Sequence, residues 1–318
     1  PFLNTETPQP PGSWIPPQSL GLHCILAVND GQERFSALRI PGGLLIGTYG
    51  RGSGGARIEL FNGTLQPPEL QTDRESIFDI IMPSDGLPLA CAEHNAAIYK
   101  RSAAGAWEQK YARPELAALM LGLRKGRNCI NGLYTIYERG ISGLVRSQNN
   151  GNTWQEVAAY PGKSLYGIGS DGDDIGLAGS MNDHPIVVDA GGGIVVERPD
   201  RKGYYYWGII RMGRSWNFGT CNDSVKQGFI DAFDGVDLRT VYSTDRPYIQ
   251  AMGMNAGIRY AVATWDWSEG SDKTSLLLTS ADGYGWSEIC KIPCPHIIGM
   301  TFADGGVYLL GGRHREYG

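Results

Sequence analysis

Short apolar segments recur along most of this 318-residue chain, and glycine or polar residues separate them. Seven of these segments form one series, at 44–48, 87–92, 133–137, 175–178, 228–231, 258–264 and 307–310. The centres of the first and last members, near positions 46 and 309, lie six periods of about 44 residues apart. Another apolar segment precedes most members, for example at 35–40, 77–82, 165–168, 249–254 and 297–302. Apolar runs of this length between turn residues are typical of β-strands.

A unit of about 44 residues with four short strands has the size of one β-propeller blade. The sequence therefore predicts an all-β fold, a β-propeller of seven blades with four antiparallel strands each. The chain ends eight residues after position 310, which is too early for the outer strands of the last blade. We expect Leu22–Val28 to supply one of these strands and to close the ring. Six or eight blades stay open, because the segment 196–227 does not follow the pattern.

The start of the chain differs in composition from the rest. Residues 1–19 are rich in proline, so they are predicted to form an extended arm or linker that contacts other subunits. Residues 20–318 are predicted to form a single propeller domain. Because the chain begins at Pro1 without a methionine, we expect it to be a processed or excised piece of something longer.

A second motif joins a strand, a turn rich in Asn, Asp and Gly, and a tryptophan. Ser147–Trp154 resembles the Asp-box of the sialidase superfamily, Ser-x-Asp-x-Gly-x-Thr-Trp, with Asn149 where Asp is usual. Ser280–Trp286 resembles the same box with one residue deleted. The resemblance covers about residues 20–318 and implies a propeller. It implies little about activity, because in such proteins the box lies on a turn between outer strands, at the rim opposite the site.

Composition and charge exclude several classes of function. The chain has 28 Lys and Arg against 33 Asp and Glu, with only 19% charged residues, which argues against a nucleic-acid-binding surface. No stretch approaches the ~20 apolar residues that cross a bilayer, so no membrane insertion is predicted. Six cysteines show no metal-ligand spacing, and they are interpreted as buried free thiols or as disulfides. The sequence predicts neither a metal nor another cofactor.

Polar residues follow the predicted second strands, at the end where a propeller holds its site. That site lies at one mouth of the central channel, on the loops between second and third strands and between blades. Five successive blades place a carboxylate there, namely Glu93, Glu138, Asp183, Asp231 and Asp266. Aromatic rings stack on sugars, carboxylates accept hydrogen bonds from sugar hydroxyls, and arginines bind acidic sugars. The sequence therefore predicts a glycan site at the channel mouth.

Roles follow from residue type. A glycoside hydrolase needs two carboxylates about 5–10 Å apart, whereas a polysaccharide lyase needs a base and a cation beside the uronate carboxylate. The predicted catalytic residues are Glu93, His94, Asp183, His184, Tyr248 and Asp266. The predicted substrate-binding residues are Arg34, Arg51, Glu138, Arg139, Asp231, Arg246, Trp265, Trp267, Arg313 and His314.

The sialidase resemblance bears on two of these residues. In sialidases an early Arg-Ile-Pro motif supplies an arginine for the substrate carboxylate, and a tyrosine acts as the nucleophile. Arg39-Ile40-Pro41 matches the motif but falls at the far end of its strand, so Arg34 is the better-placed residue. Tyr248 lies where the nucleophilic tyrosine is expected, but the sequence assigns it no Glu partner.

Two further segments carry notable side chains. Residues 201–217 are dense in aromatic and basic residues, and they are interpreted as an insertion packed under a blade or as a lip over the channel. Asp171–Asp174 resembles a fragment of a calcium loop, but it lacks the spaced ligands, so a hairpin turn is the favoured interpretation.

Two classes of function remain. The first is a polysaccharide-active enzyme, a glycoside hydrolase or lyase, with its site at the channel mouth. The alternative is a non-catalytic carbohydrate- or receptor-binding module, for example a component of a viral tail or of a cell-surface assembly. Both predict a polysaccharide or glycan as partner, and an extracellular, cell-surface or virion-associated location.

Overall fold

The computed structural model describes residues 26, 32–50, 55–73, 76–115, 117–224, 227–265, 273–303 and 305–312. Within these ranges the regular structure is β-strand, apart from one 3₁₀ turn at Tyr137–Arg139. The predicted all-β class is confirmed. None of the described helices has the length and apolarity needed to cross a membrane. The predicted arm at residues 1–19 lies outside the described residues.

The strands form antiparallel sheets, and within each four-strand unit the strands follow one another in chain order. The strands of the first two sheets are β1 (Glu33–Ile40), β2 (Gly43–Tyr49), β3 (Arg57–Phe61), β4 (Leu70–Gln71), β5 (Ile77–Ile81), β6 (Leu89–Ala92), β7 (Ala97–Arg101) and β8 (Trp107–Tyr111). Those of the next two are β9 (Ala118–Lys125), β10 (Ile130–Ile136), β11 (Ile141–Ser147), β12 (Gln155–Pro161), β13 (Ser164–Asp171), β14 (Asp174–Met181), β15 (His184–Asp189) and β16 (Ile194–Glu197).

Two more four-strand units and a hairpin follow. The fifth unit holds β17 (Tyr205–Met212), β18 (Ser215–Cys221), β19 (Gly228–Phe233) and β20 (Leu238–Thr244), and the sixth holds β21 (Tyr248–Asn255), β22 (Ile258–Thr264), β23 (Ser275–Ser280) and β24 (Ser287–Ile292). A single bridge between Cys221 and Tyr248 joins these two units. The hairpin consists of β25 (His296–Ala303) and β26 (Gly306–Gly312).

The first strands of neighbouring sheets pack against one another. β1 contacts β5, β5 contacts β9, and the series continues through β13, β17 and β21 to β25, which contacts β1 again. Glycines permit this close approach. A Cβ on Gly167 of β13 would lie 1.9 Å from the Trp207 carbonyl oxygen of β17, and one on Gly299 of β25 would lie 2.1 Å from the Phe35 carbonyl oxygen of β1. The last sheet therefore meets the first through the same kind of contact that joins the fourth sheet to the fifth.

Every first strand contains a β-bulge at an equivalent position. Its register against the second strand shifts by one residue, and the unpaired residues are Phe35, Phe78, Leu121, Tyr166, Trp207, Ile249 with Gln250, and Ile298. A bulge bends a strand and re-aims the side chains beyond it. Rings at these positions touch between sheets, since Phe35 and Phe78 lie 5.6 Å apart between ring centroids.

The strand prediction is right in six sheets and wrong in the fifth. The predicted second strands at 44–48, 87–92, 133–137, 175–178, 258–264 and 307–310 overlap β2, β6, β10, β14, β22 and β26. The segment at 228–231, however, belongs to β19, the third strand of its sheet. The true first and second strands are β17, which lies inside 201–217, and β18, which begins in that segment and continues to Cys221. This segment is therefore neither an insertion nor a lip, because its aromatic residues belong to a sheet.

The two Ser-to-Trp turns share one hydrogen-bonding pattern, and both connect a third strand to a fourth strand. In the first, the Ser147 hydroxyl accepts a hydrogen bond from the Gly151 N–H (2.8 Å), and the Trp154 indole donates to the Gly151 carbonyl (3.0 Å). Ser280, Gly283 and Trp286 repeat these contacts at 2.8 and 3.2 Å. The likeness of the turns to the sialidase box stays a prediction.

Each Ser-to-Trp turn is also held by the preceding sheet. The Lys100 ammonium donates to the Asn150 carbonyl (2.8 Å), and the Asn217 amide donates to the Gly283 carbonyl (2.7 Å). Asp171–Asp174 forms a hairpin turn, as favoured from the sequence. Its Asp173 carboxylate accepts from the Arg127 N–H of the neighbouring sheet at 2.7 Å. These turns therefore lock adjacent sheets together.

Candidate functional site

One end of the sheets gathers most of the predicted site residues. Because the strands are antiparallel, each second strand ends beside the start of the first strand. Tyr49 pairs with Glu33, for example, and Thr264 pairs with Tyr248. We call this end the upper end. It comprises the starts of the first strands and the loops that lead from second to third strands.

A row of aromatic side chains lines the upper end from the third sheet to the fifth. The Tyr137 ring stacks on Tyr166 with a centroid distance of 5.7 Å, and Tyr166 stacks on Trp207 at 5.5 Å. Tyr205 lies 4.7 Å from Tyr166 and 6.3 Å from Trp207. We call Tyr137, Tyr166, Tyr205 and Trp207 the aromatic row. Rings in this row that keep an exposed face can stack on sugars.

Tyr248 opens the first strand of the sixth sheet, next to the end of the aromatic row in the fifth sheet. It has a carboxylate partner. Its hydroxyl donates a hydrogen bond to Asp223 Oδ1 at 2.7 Å, and the Tyr205 hydroxyl donates to the same oxygen at 3.3 Å. Asp223 is exposed, so the pair is open to solvent on the carboxylate side. The edge of the buried His296 ring faces the Tyr248 ring at a centroid distance of 6.5 Å. The structure thus supplies the acidic partner that the sequence does not assign.

The sequence prediction omitted Asp223 because it assigned the wrong second strand to the fifth sheet. Asp223 follows β18, the true second strand of the fifth sheet, and so occupies the register of Glu93 and Asp183. The sequence prediction took residues 228–231 for that strand and therefore selected Asp231. The one signal available was the spacing, because residue 223 lies about one period after Asp183.

The tyrosines of the aromatic row are held in their neutral form. Burial raises the pKa of Tyr205 above its ordinary value, and the nearby groups Cys221 and Asp223 raise it further. Burial also raises the pKa of Tyr166, and the pKa of Tyr137 rises for the same cause with a contribution from Tyr166 and Glu93. At neutral pH these hydroxyls therefore keep their protons and can donate hydrogen bonds to a ligand.

Glu93 lies at the other end of the aromatic row. The Ser76 hydroxyl donates to its Oε2 at 2.6 Å, which fixes the half-buried carboxylate at the start of β5. Its charge acts on Tyr137, as the raised pKa of that tyrosine indicates. His94 belongs to the same loop, where it, Asn95 and Ala96 all have positive φ angles between 43° and 55°.

Asp231 does not lie at the upper end. It sits within β19 with no exposed surface, and its carboxylate accepts hydrogen bonds from Arg201 (3.0 Å), Arg198 (3.2 Å) and the Tyr206 hydroxyl (2.5 Å). The prediction that it ends a second strand is wrong. A carboxylate enclosed by two guanidinium groups is out of reach of a substrate and joins the fourth-to-fifth connection to its sheet.

His184 also faces away from the aromatic row. The buried His184 lies in β15, where Nε2 is 2.8 Å from Glu197 of the outer strand β16. Asp183 is exposed on the turn before it, with φ at 64°. A position in the predicted loop therefore does not bring the His184 ring to the site, and the role of the exposed Asp183 stays a prediction.

Predicted cations that fall within the described ranges have protein partners. Arg34 is buried and bonded to Glu59 at 3.1 Å. Arg246 pairs with Asp245 at 2.7 Å and also lies 5.6 Å from the ring of Trp265, a residue whose carbonyl accepts from His296.

The last of the predicted site residues are either exposed or lie outside the described residues. Glu138 and Arg139 are exposed on the 3₁₀ turn, and Arg139 lies 3.5 Å from Glu115. The remaining predicted residues lie outside the described residues and stay predictions: Arg51, Asp266, Trp267, Arg313 and His314.

Potential metal ligands are scattered through the described ranges. No group of three or more His, Cys, Asp or Glu side chains within those ranges could hold a metal ion. Five cysteines in the same ranges are free thiols, namely Cys91, Cys129, Cys221, Cys290 and Cys294.

The sequence matches no known family model and, at a significant level, no curated protein. Several solved structures are similar in fold. A catalytically inactive virginiamycin B lyase from Staphylococcus aureus with quinupristin is 17% identical, with a TM-score of 0.60 over 90% of this chain and 94% of that chain. YCF48 from Cyanidioschyzon merolae is 10% identical, with a TM-score of 0.59 over 90% and 95%. Both neighbours are β-propellers.

The fold is a β-propeller. An oligogalacturonate lyase in complex with manganese is also similar, at 10% identity and a TM-score of 0.53 over 83% of this chain and 77% of that chain. Identities this low establish the fold and carry no activity across. In β-propellers the site lies at one mouth of a central channel, so the upper end is the place to look for it in this chain.

Proposed function

We propose that this β-propeller is a polysaccharide lyase that cleaves an acidic glycan at the upper mouth of its channel. The observation that carries the proposal is the Tyr248–Asp223 pair at the end of the aromatic row. A hydroxyl bonded to an exposed carboxylate can move a proton, and the rings beside it can hold a sugar chain. Two propellers of similar fold are named lyases, which agrees with this chemistry.

In the proposed reaction, the Tyr248 oxygen removes the proton from the carbon beside the substrate carboxylate as its own proton passes to Asp223. The electron pair forms a carbon–carbon double bond, and the glycosidic C–O bond breaks. The leaving glycosidic oxygen then takes the proton that Asp223 received, which returns Tyr248 and Asp223 to their starting states. Arg246 and Lys273, 5.6 and 4.8 Å from the Trp265 ring, are the proposed cations that neutralise the substrate carboxylate.

We further propose that the ring has seven blades and that the segment before β1 completes the last one. Gly299 of β25 approaches Phe35 of β1 as Gly167 approaches Trp207. Leu26 packs with Leu310, Leu44 and Ile46 in one apolar cluster, which supports a position for its segment beside the hairpin.

Variants of the pair test the proposed lyase. We expect Tyr248→Phe and Asp223→Asn each to lower kcat by about 10²–10⁴-fold, because a positioned acid–base group contributes that much. The measurement is absorbance near 235 nm from unsaturated uronates on a panel of acidic polysaccharides. Tyr160→Phe and Asp237→Asn are the matched controls, since Tyr160 bonds the Ala190 carbonyl far from the mouth and Asp237 lies in the exposed β19–β20 turn.

Other outcomes identify other functions. New reducing ends without absorbance would mean hydrolysis, and equal rates for Tyr248→Phe and wild type would exclude Tyr248 from the chemistry. Binding on a glycan array without cleavage would favour the second candidate, a non-catalytic carbohydrate- or receptor-binding module. The exposed Tyr137 ring favours that candidate, since an aromatic face can hold a sugar without reacting with it. Both candidates agree with an extracellular, cell-surface or virion-associated location, which we propose on that basis.

A further inference from the structure

Most ring faces of the aromatic row pack against other rings of the same row. Tyr166 stacks between Tyr137 and Trp207, with interplanar angles of 29° and 19°. A ring enclosed in this way has no face left for a sugar. Tyr137, at the end of the row, keeps 41% of its surface exposed although its hydroxyl is surrounded by protein. It is therefore the ring of the row that is best placed to stack on a ligand.

The backbone holds Tyr137 in a fixed position. It opens the 3₁₀ turn that leads from β10 to β11, and the turn ends at Gly140 in the left-handed conformation with φ at 56°. The Gly140 N–H donates to the Tyr137 carbonyl at 3.0 Å. An exposed aromatic side chain on a closed turn is pre-organised for binding, so little conformational entropy is lost when a ligand stacks on it.

A fixed acceptor accompanies the exposed ring. Glu93, held by the Ser76 hydroxyl at 2.6 Å, follows β6 at the upper end of the second sheet, and β6 packs against β9 of the third sheet, to which Tyr137 belongs. An aromatic face beside a carboxylate is the combination that binds a pyranose, because the ring covers the C–H face and the carboxylate accepts from the hydroxyls. Tyr137 belongs to the third sheet and Tyr248 opens the sixth, so the two ends of the row are separate binding positions.

The distance along the row exceeds one sugar ring. From Tyr137 to Tyr205 there are two ring-to-ring steps of 5.7 and 4.7 Å, and Asp223 then separates Tyr205 from Tyr248. A single sugar at Tyr248 therefore leaves the Tyr137 end empty. A longer chain can occupy both ends together.

We propose that the upper mouth binds an extended acidic oligosaccharide, with Tyr137 and Glu93 forming a subsite for a sugar several positions away from the bond at Tyr248. The proposal rests on the proposed glycan function and deepens it. On this proposal the site binds an internal segment of a polysaccharide and not a terminal monosaccharide. Tyr137 and Glu93 act on chain-length preference and take no part in the chemistry.

The test compares chain lengths. We expect Tyr137→Ala to raise KM for a long uronate oligosaccharide about tenfold and to leave kcat unchanged, because a lost stacking contact acts on binding. For a disaccharide that reaches only Tyr248, both constants should match those of wild type. Tyr137→Phe keeps the ring and should behave as wild type on both lengths. Tyr284→Ala, a half-buried tyrosine on the turn before β24 at the opposite rim, is the control.

Calorimetric binding of the same oligosaccharides separates this proposal from the lyase proposal. If wild type binds the long chain without cleaving it, and Tyr137→Ala weakens that binding, the subsite stands and the lyase proposal fails. If Tyr137→Ala binds both lengths as wild type does, or weakens both equally, the subsite is overturned. Glu93→Gln gives a second test should Tyr137→Ala misfold, since it removes the charge and keeps an acceptor for Ser76.

Discussion

Replacing Asp231 by asparagine is expected to lower the free energy of unfolding by about 3–5 kcal/mol. The Asp231 carboxylate has no exposed surface and lies against Arg201 and Arg198 at 3.0 and 3.2 Å. The variant leaves these guanidinium groups beside a neutral amide, and removing one partner of a buried ion pair leaves the other charge uncompensated. Urea denaturation followed by tryptophan fluorescence measures the loss.

Asp174→Asn is the matched control for this prediction. Asp174 also pairs with an arginine, Arg211 at 2.8 Å, but its side chain is 72% exposed, so the expected loss is below about 1 kcal/mol. Equal losses in the two variants would contradict a structural role for Asp231. Asp231→Asn molecules that still fold should keep their glycan binding, because Asp231 lies away from the mouth.

Gly167→Ala and Gly299→Ala are expected to destabilise the protein by about 3 kcal/mol or more, the upper range of overpacking. The new Cβ would lie 1.9 Å from the Trp207 carbonyl oxygen in the first case and 2.1 Å from the Phe35 carbonyl oxygen in the second. Both obstacles are backbone atoms, so relief requires the neighbouring first strand to move. Thermal unfolding monitored by circular dichroism should show a large fall in Tm for both variants.

Gly285→Ala provides the comparison, since its Cβ would meet nothing closer than 3.8 Å and its Tm should change little. The two test variants also examine whether the ring of sheets is closed. Gly167 lies between the fourth and fifth sheets, whereas Gly299 lies between the hairpin and β1. A small effect at Gly299 beside a large effect at Gly167 would mean that the last sheet does not pack firmly on the first.

The strand pattern was predictable wherever apolar residues dominate a strand. β2, β6 and β10 are almost wholly buried, and their sequences show it. The fifth sheet hides its second strand, because β18 contains buried polar residues such as Asn217 and Thr220. Their hydrogen bonds to Gly283 and Phe229 arise only in the folded sheet. A hydropathy pattern shows which residues are apolar, but it does not show which partners a buried polar side chain will bond.

The site was predictable only in part, for a related reason. The register of Tyr248 at a strand start follows from the repeat, but its contact with Asp223 depends on which strand precedes that carboxylate. His184 occupies a predicted loop, yet its ring bonds Glu197 on the outer strand. Successive side chains in a strand point to opposite faces, so a shift of one residue separates a site residue from a structural one.

The bulges in the first strands have an evolutionary consequence. Side chains alternate along a strand, so an unpaired residue such as Tyr166 or Trp207 offsets the alternation above it from the alternation below it. Substitutions at the mouth can then accumulate without altering which residues the lower half of each strand presents to its neighbours. We therefore expect substitutions that change specificity to be tolerated above the bulges, and substitutions below them to disturb the packing of neighbouring sheets.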